Sequence, residues 1–271
     1  FCILFFISYS KLYYLNFALI SFSFLGKYYP ITFSINFFLK KRSRKIKNSL
    51  ALFLFFLIIS ISFILINFSH FKISLDNSGL NPGYHYLFSV KSIPKVIKYI
   101  LNINYIFLLV FFYSLFIYTS IKIYKFLKNK NFFDKLDLYR KEDRLFIMGT
   151  NTLVLCFLLF SNWYYREVFL IFSIPLIILL KENYQFARWL YNILILRYLF
   201  LFLYSHLLLQ ETHYHINGER IFHNFFLILV FLKGLIDFII MAFLSSLLIN
   251  YNLIIFNQLK TSLSNFLIKK S

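Results

Sequence analysis

Lys27 stands in an apolar run three residues before Pro30, within the stretch FLGKYYPITFSINFFLKKRSRK at 24–45. A charge inside a membrane-length segment is expensive, and proline breaks the hydrogen-bond ladder of a helix. A lysine held there can meet a phosphate anion. It can equally snorkel from a helix end beside a kink. Arg166 ends a second unusual stretch, where Asn162, Trp163, Tyr164 and Tyr165 precede it. Arginine can hold a phosphate through two parallel hydrogen bonds. Flanked by aromatics, it also fits an anchor at a membrane interface.

Two further groups carry titratable residues. The segment ETHYHINGER at 211–220 holds Glu211, His213, His215 and Glu219. His-x-His beside carboxylates uses zinc-ligating residue types, but no third ligand stands at a defining spacing, so no metal site is expected. Lys233 and Asp237 lie four residues apart in a strongly apolar run. That spacing puts them on one helix face, where they can neutralise each other or serve a proton or ion path. Asp76 stands beside Asn77, Ser78 and Gly79 and reads as a turn residue. Cys2 and Cys156 both sit in apolar runs and give neither metal spacing nor a disulfide framework.

The elements that must position these residues follow from composition. The 271-residue chain is 60% hydrophobic and only 14% charged, with a mean hydropathy of +0.71. The apolar residues come in several membrane-length runs. The expected fold is therefore all-α, a polytopic transmembrane helix bundle of about seven or eight spans or half-spans. One transmembrane domain is expected over 1–271, beginning inside an apolar run at Phe1 and so reading as N-terminally truncated. Spans are expected near 50–67, 103–120, 145–160, 168–180, 190–209 and 224–249. The last is followed by a weakly amphipathic tail.

The formal charge of +19 does not point to nucleic acid, because no soluble module offers a basic face. The lysines and arginines sit mostly in short loops. Nineteen fall in 40–49, 121–144, 181–189 and 250–271, against six in 68–102, 161–167 and 210–220. The positive-inside rule places the first set in the cytoplasm. On this reading 121–144 is a cytoplasmic basic segment near membrane lipids, and 68–102 is an outer loop of turns. Localisation in a bacterial inner (plasma) membrane, with several passes, is expected. From Tyr28 to the basic block is about 12 residues, or ~18 Å of helix, short of a ~30 Å hydrocarbon core. The break at Lys27–Pro30 then falls within the outer half of the membrane or in a cavity.

GKYYPITFSINFFLKKRSRK resembles a segment of the GT-C superfamily of membrane glycosyltransferases, especially glycosyltransferase family 87 (DUF2029-like). There a helix leads to a lysine and proline, an apolar run and a basic cluster. LFSNWYYREVFLIFSIPLIILL at 159–180 resembles a later span of that family, opening on an aromatic-Tyr-Arg turn. The resemblance implies the C-terminal part of a GT-C-like, inverting transferase working on the outer face. It implies a polyprenyl-phosphate-linked sugar donor and a cell-envelope lipid or glycan acceptor. Lys27 and Arg166 would bind the donor phosphate. Tyr28, Tyr29, Asn162, Tyr165, His213 and His215 would touch substrate. The family's essential acid lies in an upstream loop that this chain does not contain, so no catalytic residue is assigned. No cofactor is expected. A polytopic transporter or flippase, or an envelope polysaccharide polymerase or ligase, is the alternative reading.

Overall fold

The computed structural model describes residues 88–138, 140–159, 164–214 and 220–268, with scattered helical positions between 51 and 66. Among these residues the regular structure is helical and no β-strand occurs. The elements in chain order are α1 (Ser92–Leu101), α2 (Tyr105–Asn129), a 3-10 helix (Phe132–Lys135), α3 (Lys141–Leu159), a second 3-10 helix (Tyr164–Ser173), α4 (Ile174–Lys181), α5 (Gln185–Tyr214) and α6 (Arg220–Ile268).

Asparagines set the boundaries around α2. Asn102 adopts a left-handed backbone at φ 52°, and its N–H closes α1 on the Lys98 carbonyl. Asparagine tolerates that conformation better than most residues. Two residues later the Asn104 side chain accepts from the Ile106 N–H at 2.9 Å and so caps α2. Asn131, also at φ 52°, ends the turn that follows α2. The motif Asn-Ile-Asn therefore separates two helices where the composition suggested an unbroken loop and then a span.

Among the described residues, two helices are long and apolar enough to cross a membrane: α2, and the part of α6 at Leu227–Gln258. They differ in setting. Only 22% of the apolar window of α2 is buried, against 56% for α6. Ile106, Phe107, Val110, Phe111, Ile117 and Tyr118 leave a broad exposed apolar face on α2. A contiguous face of this kind needs an apolar neighbour, and lipid provides one. Helix α6 is the central element and packs against α1, α2, α3 and α5. Its 32-residue span is about 48 Å long, more than a ~30 Å hydrocarbon core requires.

Close approach comes from small residues and aromatic rings. A β-carbon on Gly234 of α6 would stand 2.9 Å from Ile93 Cγ1 and 3.2 Å from Ser92 Oγ, so its absence lets α1 lie against α6. Gly149 does the same for α3 against the second 3-10 helix, where an added β-carbon would strike Phe172. In lipid, where apolar burial alone does not hold helices together, such small-residue contacts carry much of the packing. Phe116 of α2 meets Phe238 of α6 edge-on at 5.5 Å and Phe157 of α3 at 5.6 Å.

Several boundaries differ from the sequence-based expectation. The 121–144 segment divides into the last turns of α2, the first 3-10 helix and the start of α3. The stretch expected as turns up to residue 102 ends in α1. The tail after 249 continues α6 without interruption to Ile268. Apolar positions recur there at helical spacing, and no proline or glycine follows Gly234 to stop the helix.

Candidate functional site

A buried ionic cluster joins α5 to α6. Asp237 accepts from Arg197 Nε at 2.6 Å on one carboxylate oxygen and from Lys233 Nζ at 2.5 Å on the other. All three side chains are about 2% exposed. Lys233 and Asp237 share a face of α6 through their four-residue spacing. Arg197 comes from the middle of α5, and its guanidinium lies 6.0 Å from the Phe88 ring and 5.8 Å from the Tyr198 ring. Aromatic faces favour a cation at that range. Burial of isolated charges would be prohibitive, and here each charge faces one of opposite sign.

The segment at 88–96 covers this cluster. Gly234, next to Lys233, touches Ser92 and Ile93 at the start of α1. That start is tied to the end of α3. Val90 N–H donates to the Phe157 carbonyl at 3.1 Å, and Ser89 Oγ donates to the same oxygen at 3.2 Å. The Tyr113 hydroxyl donates to the neighbouring Leu158 carbonyl. These bonds satisfy carbonyls that the last turn of α3 leaves without helical partners. The cluster thus sits where α1, α5 and α6 meet, on a fixed scaffold.

A second buried polar node lies further along α6. Asp143, in the first turn of α3, accepts from the Tyr251 hydroxyl and from Arg140 Nε. Burial pushes its carboxyl above the usual range, and the Tyr251 and Arg140 hydrogen bonds partly offset that. From Asp237 to Tyr251 is about 21 Å along the helix axis. The two nodes are therefore separate sites.

The residues singled out from sequence divide into two groups. Lys27, Tyr28, Tyr29, Asn162 and His215 lie outside the described residues. Tyr165 and Arg166 fall in the second 3-10 helix, and His213 in the last turns of α5, with only their backbone described. The 3-10 helix that carries Arg166 is anchored on α3 through buried Phe169 and Phe172 beside Gly149. Among the described residues, no group of three His, Cys, Asp or Glu side chains could hold a metal ion. Cys156 is a buried free thiol.

Sequence reasoning paired Lys233 with Asp237, and the structure shows that pair. It did not bring in Arg197. The available signal was a lone arginine inside an otherwise apolar helical run. Asp143 and Tyr251, 108 residues apart, left no local pattern at all. No protein family, curated protein or solved structure matches the chain.

Proposed function

We propose that this chain belongs to an integral-membrane glycosyltransferase with a polytopic, GT-C-like helix bundle. It takes a sugar from a polyprenyl-phosphate carrier and passes it to a cell-envelope lipid or glycan acceptor on the outer face. The resemblance of 26–45 and 159–180 to glycosyltransferase family 87 suggests this chemistry. Beside that resemblance stands the buried Arg197–Asp237–Lys233 cluster, which leaves one net positive charge among the helices, where an anionic phosphate would be attracted.

The reaction makes specific demands. An acceptor hydroxyl attacks the anomeric carbon, and the bond from that carbon to the phosphate oxygen breaks. The lipid phosphate leaves with the electron pair, and the hydroxyl proton passes to a base not assigned in this chain. Negative charge grows on the leaving phosphate, so preorganised cations in a water-poor site lower the barrier. Lys27 and Arg166 are proposed to bind that phosphate. Arg197 and Lys233 contribute positive potential from the bundle interior. Tyr28, Tyr29, Asn162, Tyr165, His213 and His215 are proposed substrate contacts. The excess of basic residues in 40–49 and 121–144 supports a topology with those segments on the cytoplasmic side, and a multi-pass position in a bacterial inner membrane is proposed with it.

A second reading is a carrier or flippase, favoured by the same cluster, because a carboxylate held between cations inside a span suits coupled ion movement. Membrane vesicles distinguish the two. Given radiolabelled polyprenyl-phosphate sugar, wild-type vesicles should transfer label to acceptor. Lys27→Ala and Arg166→Ala should each lower that transfer by roughly tenfold or more. Full activity in both variants would sink the phosphate-binding assignment. Movement of labelled lipid between leaflets with no new glycosidic bond would favour the carrier.

A further inference from the structure

Helix α1 carries its charge in one row. Lys91 at its N-cap, Lys95 and Lys98 follow at intervals of four and three residues, which places all three on one face. The opposite face, with Ser92, Ile93 and Val96, is buried against α6. Lys95 is half-buried and Lys98 is exposed. Three like charges on ten residues repel one another. Burial and Lys91 together push the Lys95 ammonium below its ordinary range. Such a row is stabilised by a neighbouring anion.

Beyond Lys98 the last turn of α1 is apolar on several sides. Tyr99, Ile100 and Leu101 in its last turn are each more than half exposed. Exposed apolar groups continue through Ile103 into Ile106 and Phe107 of α2, the membrane-length helix that leaves most of its surface open. One short helix therefore presents cations on one side and uncovered apolar groups that join a lipid-facing surface. The lysine row faces away from α6, and the apolar last turn joins the open surface of α2, a setting that places the lysines at the level of the headgroup phosphates. The connection at Asn102–Asn104 turns the chain from α1 directly into α2.

We propose that α1 is an interfacial helix that docks on anionic phospholipid headgroups of the leaflet in which it lies, through Lys91, Lys95 and Lys98. The inference rests on the membrane reading of α2 and α6 but not on the glycosyltransferase reading.

The test uses the whole chain in nanodiscs of phosphatidylcholine alone or mixed with phosphatidylglycerol. Co-elution with the disc scaffold is recorded first; a chain that fails to enter the disc overturns the membrane reading and this proposal with it. Amide exchange is then followed in 92–101, with 227–258 of α6 as internal reference. Phosphatidylglycerol should slow exchange in α1 by about fivefold for each engaged lysine and leave α6 unchanged. Lys91→Gln, Lys95→Gln and Lys98→Gln together should abolish the lipid dependence. Exposed Lys98→Gln alone, the gentler variant for folding, should weaken it. Equal exchange in both discs overturns the proposal. So does slowing by inorganic phosphate in neutral discs, or slowing only by polyprenyl phosphate, which would mark a carrier-lipid site instead of a membrane surface.

Discussion

Arg197 on α5 and Asp237 on α6 form a buried ion pair across 40 residues of sequence, with Lys233 on the second carboxylate oxygen. Removing the carboxylate leaves two cations facing each other in the bundle interior. Asp237→Ala should therefore cost about 3–5 kcal/mol of stability. Replacing all three by apolar residues of similar size, Arg197→Met, Lys233→Met and Asp237→Leu, should recover most of that loss. Labelling of buried Cys156 during denaturation, in a Cys2→Ser background, reports the unfolding midpoint. A triple variant less stable than Asp237→Ala would show that the charges hold the fold by more than mutual compensation. Under the proposed function, loss of sugar transfer in a stable triple variant would give the cluster a chemical role beyond its structural one.

How much of this was readable in advance depended on sequence distance. Lys233 and Asp237 are one helical turn apart, so their pairing followed from spacing once the run was read as helix. The Arg197 contact depends on how α5 packs on α6, which no local pattern specifies. The same holds for Tyr251 on Asp143. Helix α2 was legible as an apolar run, although its end moved from about 120 to Asn129, because Lys122, Lys125 and Lys128 continue the helix instead of ending it. Helix α1 was missed among expected turns. Ten residues are too few to be stable in isolation, and α1 forms because Ser92, Ile93 and Val96 find α6.

Gly149 should not tolerate a side chain. An added β-carbon would meet Phe172 Cβ and stand 3.0 Å from the Phe169 carbonyl oxygen, and backbone cannot swing aside as a side-chain tip can. Gly149→Ala should lose about 1–3 kcal/mol by overpacking. Because the displaced element is the 3-10 helix that carries Tyr165 and Arg166, the proposed transfer activity should fall even below the melting temperature. An unchanged Cys156 labelling midpoint would contradict the close contact.

Asp143 predicts a pH dependence of defined sign. Its folded pKa lies above 3.8 because burial disfavours the carboxylate. The folded state therefore keeps its proton after the unfolded state has released one. Stability then falls as pH rises from the ordinary aspartate range through the folded value. Tyr251→Phe removes a donor to the carboxylate, raises the folded value further and extends that fall to higher pH. It should also cost about 1–3 kcal/mol at neutral pH. Asp143→Asn should lack this component of the slope. Unfolding midpoints across an acid-to-neutral series decide it, and identical slopes in wild type and Asp143→Asn would exclude the assignment.

Lys95 offers the complementary test. Burial first, and the charge of Lys91 second, hold its pKa below 10.5. A depressed lysine means that the folded state binds fewer protons, so its contribution to stability improves as pH rises from the folded value toward the ordinary one. Lys91→Gln removes only the second cause and should move the Lys95 pKa part of the way back up. Amine acylation proceeds through the neutral form. At a fixed pH below both values, labelling of Lys95 should then slow by roughly two- to threefold, as expected for a shift of a fraction of a pKa unit. Phosphatidylglycerol should slow it in the same direction in wild type, because a neighbouring phosphate favours the ammonium. Mass spectrometry of the peptide containing Lys95 measures both effects. Faster labelling in Lys91→Gln would mean that Lys91 does not act on Lys95 as a like charge, and the row on α1 would lose its electrostatic basis.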